Sequence, residues 1–461
     1  VFGKVKHIHF VGIGGIGMSG IAEVLHTMGF TVSGSDLLEG ANVKRLQSMG
    51  IKVYTGHKYE NAQNADVVVY SSAVKETNPE LVCAKDNFVP VIKRGEMLAE
   101  LMRLKVSIAI SGSHGKTTTT SMVAEIMNEA ELDPTIVVGG ILNTKDSNAT
   151  LGEGDVIVAE ADESDRSFLL MSPNIALITN IDFEHPDTYK DLDDVKQTFV
   201  DFTSRVPFYG SVVVCLEDDK AADIIPQIDR RFLTYGFKAQ ADVRAANVEQ
   251  KGFAMHFDVY IKGKKEGRIE LGFPGDHNVL NALGAIAVAT EFDIPFRVIK
   301  KALEKFAGVQ RRLTSRYDDG SCIVMDDYGH HPTEIKTTLK AVRGAYKDKK
   351  ILAIFEPHRF SRTAALMKEF ATAFFDADML FIADIYAASE DKIEGVDSEV
   401  LVHEVKRRGF KNVKHIPSFE NVYEYLEEEG CSDTVMLTLG AGSITKFSHE
   451  LAERVGKNRE K

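Results

Sequence analysis

The stretch Ile110-Ser-Gly-Ser-His-Gly-Lys-Thr-Thr-Thr-Thr120 decides how the rest of the chain is read. It follows an apolar run, Val106 to Ile110, with the length and composition of a buried parallel strand. It precedes Ser121-Met-Val-Ala-Glu-Ile-Met127, whose apolar residues fall at helical spacing. Strand, Gly-rich turn and helix together make a phosphate cradle. Backbone N–H groups and the helix N-terminus face the anion, Lys116 supplies a mobile cation, and the Thr117 hydroxyl can ligate Mg²⁺. Gly112, Ser113, His114, Gly115, Lys116, Thr117 and Thr118 are therefore candidates for holding a nucleoside triphosphate. The longer form of this motif has a glycine where Ile110 stands, so the form present is the shortened Gly112-x-x-Gly115-Lys116-Thr117.

Around this loop the composition sets bounds. A chain of 461 residues, 44% hydrophobic, has material for two to four domains. No apolar run approaches a membrane span, and Val1–Phe10 runs straight into a strand, so a cytoplasmic location is expected. A net charge of −13 disfavours general binding to nucleic acid or membrane. Cys83, Cys215, Cys322 and Cys431 lie far apart and form no metal or disulfide pattern; three of them lie in or beside apolar runs, which reads as small buried hydrophobes.

The first hundred residues alternate strand and helix. Strands are predicted at His7–Val11, Phe30–Gly34, Ile51–Thr55, Asp66–Tyr70 and Val89–Ile92, and helices at Gly17–Met28 and Asn42–Met49, which implies a parallel sheet covered on both faces. A second set starts at Val106, with strands Thr135–Val138, Asp155–Ala159, Ile175–Thr179 and Ser211–Leu216. From Ala241 to Phe273 the alternation becomes period two with hairpin signals such as Ile261-Lys-Gly-Lys-Lys-Glu-Gly267, an antiparallel appendage; helices return at Asn278–Glu291 and Arg297–Phe306. A third α/β unit has strands Ser321–Met325, Ile351–Phe355, Met379–Ile382 and Val435–Thr438. The expectation is three α/β domains, residues 1–104, 105–312 and 313–461.

Chemistry gathers at strand ends. Val11-Gly12-Ile-Gly14-Gly15-Ile-Gly17-Met-Ser-Gly20 has the spacing that lets backbone approach a pyrophosphate, and Asp36 ends the next strand, where it can accept from a ribose or a base. That geometry suits a dinucleotide or another nucleoside diphosphate. Glu160, Ala161, Asp162 and Glu163 end a strand beside the phosphate loop, which makes Glu160 a Mg²⁺ ligand candidate. In Asn180-Ile-Asp182-Phe-Glu184-His185-Pro-Asp187, His185 can ligate a second metal or orient a carboxylate that does. Asn278 and Asn281 share a helix face and can meet a base or a phosphate, although capping would also use one of them. Arg311-Arg312 can reach a phosphate. Asp326-Asp327-Tyr-Gly-His330-His331 reads either as a metal site or as contacts to ribose and substrate. Arg359 and Arg362, beside His358, can clamp a carboxylate, and Gly440-Ala-Gly442-Ser443 is a turn where backbone can meet a ligand.

In this order, the segments resemble the Mur ligase family, ATP-dependent amide-forming enzymes of peptidoglycan precursor synthesis, over essentially the whole chain. The pairing of Gly12–Gly20 with Asp327-Tyr-Gly-His-His-Pro332 and Glu356-Pro-His-Arg359 is similar to the branch that joins L-alanine to UDP-N-acetylmuramate. The resemblance implies an N-terminal Rossmann-like parallel sheet, a central P-loop ATPase α/β domain with the antiparallel appendage, and a C-terminal Rossmann-like domain. It implies that Gly12, Gly14, Gly15, Gly17, Met18, Asp36 and Ser71 hold the UDP part of the substrate. ATP would meet the Gly112–Thr118 loop, Asn278, Asn281, Arg312 and Asp327; Mg²⁺ or Mn²⁺ would meet Thr117, Glu160 and His185. His330, His358, Arg359 and Arg362 would lie near the amino acid, with Lys116, His185, Arg312 and His330 serving the chemistry. Glu184 departs from the shorter acid usual before this histidine. A monomer or homodimer is expected. The alternatives are a same-family ligase adding a recycled murein tripeptide, a folate-type polyglutamate ligase, an NAD-dependent dehydrogenase, or a nucleotide-gated binding module.

Overall fold

The computed structural model describes residues 2–71, 73–138, 149–185 and 188–459, with side chains through 457. Pro186 and Asp187, quoted above beside His185, lie outside the described residues. The fold has three α/β domains, each built on its own sheet.

The N-terminal sheet runs, edge to edge, Lys52–Thr55, Thr31–Asp36, His7–Val11, Val67–Tyr70 and Val91–Lys93. Every pairing is parallel. The order reverses between His7–Val11 and Val67–Tyr70, and such a reversal opens a crevice at the carboxyl ends of the two strands. Gly12 and Ser71 follow those strands directly, so chain topology alone brings them to one crevice.

Among the described residues the central sheet has ten strands, and Val106–Ser111 lies inside it between Ile175–Ile178 and Val156–Glu160, parallel to both. Its residues 107–111 are buried, as a strand covered on both faces requires. The predicted appendage is present as Val243–Lys251, Ala254–Ile261 and Lys264–Leu271. Two-residue connections can join only antiparallel neighbours, and Lys262 and Gly263 both take positive φ, as a type I′ turn demands.

The third sheet runs Thr314–Asp318, Cys322–Asp327, Thr434–Leu439, Lys350–Phe355, Met379–Ala383 and Val413–Ile416. The edge strand Thr314–Asp318 is antiparallel to its neighbour; the remaining pairs are parallel. Ile323, Met325, Ile351 and Ala353 enter one core cluster, whereas Cys322, Val324, Leu352 and Ile354 enter another. This period-two division is what a sheet with helices on both faces produces.

By contact density the chain forms two compact units. One comprises Val1–Val248, Phe257–Glu270 and Asn278–Gly308; the other comprises Glu249–His256, Leu271–His277 and Val309–Lys461. No helix among the described residues is long and apolar enough to cross a membrane. Cys83, Cys215 and Cys322 are buried and Cys431 is partly so, and no disulfide joins any of them.

Candidate active site

The cradle at Gly112–Thr118 begins where the strand Val106–Ser111 ends and leads into the helix Lys116–Glu129. Gly112 and Gly115 both have positive φ, and a Cβ on Gly112 would collide with the Thr179 hydroxyl. The loop is held from outside. The His114 amide donates to Asn180 Oδ1 (2.8 Å), while Asn180 Nδ2 and Thr179 Oγ1 donate back to the His114 carbonyl (2.9 and 2.6 Å). The place of the missing glycine is taken by Ile110, a fully buried strand residue, and these side-chain ties give the shortened loop its shape.

Lys116 Nζ lies 3.0 and 2.9 Å from the two Glu163 oxygens and donates to the Gly112 and Ser113 carbonyls at 2.5 and 3.1 Å. Burial works against its charge, but Glu163, Asp162 and Glu160 overcome it and hold the ammonium above its usual pKa. Burial, aided by Asp162 and Glu184 and opposed by Lys116, pushes Glu163 up to about 7. The Thr117 hydroxyl donates to Glu160 Oε2 at 2.9 Å. A hydroxyl and a carboxylate at a helix start form a hard oxygen pair suited to Mg²⁺. Glu163, Glu184 and His185 present ligand atoms within 4.8 Å of one another, a second place with the donor set of a divalent ion. Asp182 accepts from Lys220 at 2.6 Å; burial opposes its charge, yet His114 and Lys220 hold it well below the usual carboxylate range. Asn278 and Asn281 are both buried, linked to each other at 3.3 Å, and Asn281 Oδ1 accepts from Thr119 at 3.2 Å. Asn281 thus packs on the cradle.

The crevice of the N-terminal sheet is a cleft of about 750 Å³ lined by Gly12, Gly14, Gly15, Asp36, His57 and Ser71, among others. Asp36 Oδ2 accepts from the Gly14 amide at 2.8 Å, and Asn42 Nδ2 donates to the Gly14 carbonyl at 2.9 Å. Gly17 stands in the first turn of the helix Ile16–Thr27. The Met18 side chain turns into the core, where it is 2% exposed. His57 joins this lining without belonging to any sequence motif. Its Nδ1 is 2.9 Å from Ser35 Oγ, which donates to the fully buried Glu80 at 2.5 Å. No motif marks it, because His57, Ser35 and Glu80 come from three separate segments.

The remaining candidates lie in the second compact unit. Asp327 is buried and accepts from the Leu313 and Gly329 amides, both at 2.8 Å; burial raises its pKa. Arg311 and Arg312 place their guanidinium carbons 4.7 and 5.4 Å from the Tyr328 ring centre, and Arg312 Nη1 reaches Glu334 at 3.4 Å. His330 Nδ1 meets the Tyr328 carbonyl at 3.1 Å. A carbonyl only accepts, so Nδ1 carries a proton. His330, His358 and Tyr386 form a row of rings, with centroids 6.1 and 5.5 Å apart. Arg362 Nη1 is 3.3 Å from His358 Nδ1, and Arg359 begins the short helix Phe360–Ala365 with φ +73°. Burial, followed by the charges of His330, Arg362 and Arg359, lowers His358 to about 4, so this imidazole is neutral near pH 7. Tyr386 and the buried Glu356, which accepts from Ser443 Oγ at 2.5 Å, complete this group. Tyr386 escaped the sequence reading because a single tyrosine after a strand carries no pattern.

Three strand ends around one phosphate loop, with a separate glycine-rich crevice and a third sheet bearing paired arginines and histidines, define a nucleotide-using α/β enzyme of multidomain type. Residues 7–106 match the family model described as Mur ligase family, catalytic domain; residues 110–289 match the Mur ligase middle domain, and 311–442 the Mur ligase, glutamate ligase domain. The chain belongs to the Mur ligase family. It is 50% identical over 460 residues to the UDP-N-acetylmuramate–L-alanine ligase of Geobacter sp. (strain M21), covering 100% of both chains. It is 51% identical over 456 residues to the ligase of the same name from Trichlorobacter lovleyi, covering 99% of this chain and 100% of the relative. The crystal structure of UDP-N-acetylmuramate–alanine ligase from Thermotoga maritima matches with a TM-score of 0.83 at 30% identity, covering 98% of this chain and 100% of that one.

Proposed function

We propose that this chain is an ATP-dependent, ADP-forming ligase that joins L-alanine to the carboxylate of UDP-N-acetylmuramate in peptidoglycan precursor synthesis. The observation that carries the reading is the cradle: a buried Lys116 beside the Thr117–Glu160 pair, in a chain about half identical, end to end, to ligases of that name. An NAD-dependent dehydrogenase has no use for these residues. The two oxygen-rich groups fit Mg²⁺ or Mn²⁺, with Thr117 and Glu160 holding one ion and Glu163, Glu184 and His185 a second. When bound, the ions offset the charge of the triphosphate and of the attacking carboxylate.

The reaction joins two anions before it joins an amine. The muramoyl carboxylate attacks the γ-phosphorus of ATP, giving an acyl phosphate and ADP. The alanine amine then attacks the acyl carbon and expels phosphate. Lys116 and the amides at the start of its helix stabilise the charge that builds on the transferring phosphoryl oxygens. Asn278 and Asn281 take part in nucleotide binding, and Arg312 and Asp327 belong to the ATP set. Gly12, Gly14, Gly15, Gly17, Asp36, His57 and Ser71 receive the UDP group. Arg359 and Arg362 bind the alanine carboxylate beside the neutral His358, and either His330 or an oxygen of the bound phosphate takes the proton that the amine must lose. We place the domain boundaries near residues 104 and 312 and the enzyme in the cytoplasm.

The test is phosphate release from ATP and Mg²⁺ at constant UDP-N-acetylmuramate. L-alanine, glycine, L-serine or the murein tripeptide is added in turn and the product weighed by mass spectrometry. Turnover with L-alanine, yielding the amide, is expected. Turnover with the tripeptide alone would transfer the protein to the recycling branch.

A further inference from the structure

Arg94 has no role in the reading so far, and its surroundings are unusual for a structural arginine. It follows the strand Val91–Lys93 and opens the helix Arg94–Met102, so it stands at a carboxyl strand end of the N-terminal sheet. Its side chain lies across Gly17, in the first turn of the helix that starts at the glycine-rich crevice. A Cβ on Gly17 would sit 3.1 Å from both Cδ and Nη1 of Arg94. On its far side, Nη2 is 3.6 Å from Asp162 Oδ2, two residues past Glu160 and next to Glu163. That distance is too long for a hydrogen bond, and among the described residues Asp162 is the polar partner of this guanidinium. The side chain is only 25% exposed. A largely enclosed guanidinium with five donors and one loose ion pair is under-used as a structural element. Its place is nonetheless fixed: the next residue is Gly95, where any side chain would collide with Ser167 of the central domain.

We propose that Arg94 is a binding residue for the diphosphate of the sugar nucleotide, held ready over Gly17 by Asp162 until the substrate arrives. This rests on the UDP-substrate reading of the glycine-rich crevice. A planar fork beside a helix N-terminus and an array of glycine amides presents the donors that a pyrophosphate accepts. The same position puts the guanidinium between the sugar-nucleotide crevice and the acidic end of the ATP site, so the residue that fixes the diphosphate also sets how far the attached sugar acid extends toward Glu160 and Glu163. Lysine would keep the charge and lose the fork. Glutamine would lose both charge and most donors.

The experiment compares the wild type, Arg94→Gln and Arg94→Lys in the full chain. UDP and uridine serve as competitive inhibitors, and KM is measured separately for UDP-N-acetylmuramate and ATP. Arg94→Gln is expected to weaken UDP by about 10- to 100-fold, the range for losing charge-assisted hydrogen bonds. Uridine, which has no phosphate, should bind as before, and KM for ATP should stay within twofold. Arg94→Lys should fall in between. Equal losses for UDP and uridine, or an unchanged UDP constant, would overturn the assignment. A wild type that binds no UDP would instead remove the reading on which it rests.

Discussion

Lys116 and Glu163 are joined by a two-pronged ion pair, with Nζ 3.0 and 2.9 Å from the two carboxylate oxygens and the glutamate side chain only 2% exposed. The cation proposed to meet the triphosphate is thus held in place by an acid that also faces Glu184 and His185. Lys116→Met should lower kcat by about 10²- to 10³-fold, the usual loss when one donor to a developing charge is removed. Breaking a buried pair typically costs about 3–5 kcal/mol. Because burial already pushes Glu163 up to about 7, it can take a proton when its partner goes, so the cost should fall at or below the low end of that range. Single-turnover kinetics and chemical denaturation measure the two effects. Near-wild-type phosphoryl transfer would remove Lys116 from the chemistry.

Asn180→Ala deletes one acceptor and one donor that tie His114, and Thr179→Val deletes a third tie. Each hydrogen bond is worth about 1 kcal/mol net, more where a buried group is left without a partner. The expected result is a 10- to 100-fold rise in KM for ATP with KM for the sugar nucleotide unchanged. A rise in both would show that the substitutions disturb the whole unit and not the loop.

Gly14→Ala tests the other loop. A Cβ there would stand 2.8 Å from Asp36 Oδ2 and 2.9 Å from Val43 Cγ2, closer than real Cβ atoms approach their neighbours. Either the loop or Asp36 must move, at about 1–3 kcal/mol, the usual cost of overpacking. Binding of UDP measured by calorimetry should weaken at least tenfold while ATP binding is retained. Unchanged UDP affinity would mean that the Asp36–Gly14 contact does not shape the site.

His358 gives a pH prediction with a definite sign. Burial and the charges of His330, Arg362 and Arg359 lower its folded pKa to about 4, below the ordinary 6.5. As pH falls through 6.5 the unfolded chain binds this proton first, so the folded state loses stability between pH 6.5 and 4 and is not penalised above 6.5. In His358→Gln the decline of Tm across that window should be shallower than in the wild type. An NMR titration of the wild-type ring with a midpoint near 6.5 would contradict the assigned environment.

Much of the site could be read from the chain because its residues sit at the ends of buried strands, and a run such as Val156–Glu160 announces both the strand and the acid that ends it. The strand and helix limits move by one or two residues, as with Phe30–Gly34, which is found at Thr31–Asp36. The edge strand Thr314–Asp318 carries no sequence signal, because Thr, Ser, Arg and Asp on a half-exposed edge show no apolar alternation. The partner of Lys116 could not be chosen among Glu160, Asp162 and Glu163, since a carboxylate cluster does not say which acid points inward. The ties from Thr179 and Asn180 to the cradle, and the His57–Ser35–Glu80 chain, join segments far apart in sequence, and short-range spacing contains no trace of them.

The cradle's dependence on Thr179 and Asn180 bears on how the protein assembles. These residues lie 65 and 66 positions beyond His114, just past the strand Ile175–Ile178. A newly made chain that has completed the Gly-rich segment still lacks the residues that tie it; the hydrogen bonds from Thr179 and Asn180 to His114 form only after that strand docks beside Val106–Ser111. On the proposed reading of this loop as the ATP site, affinity for the nucleotide is then acquired late in folding.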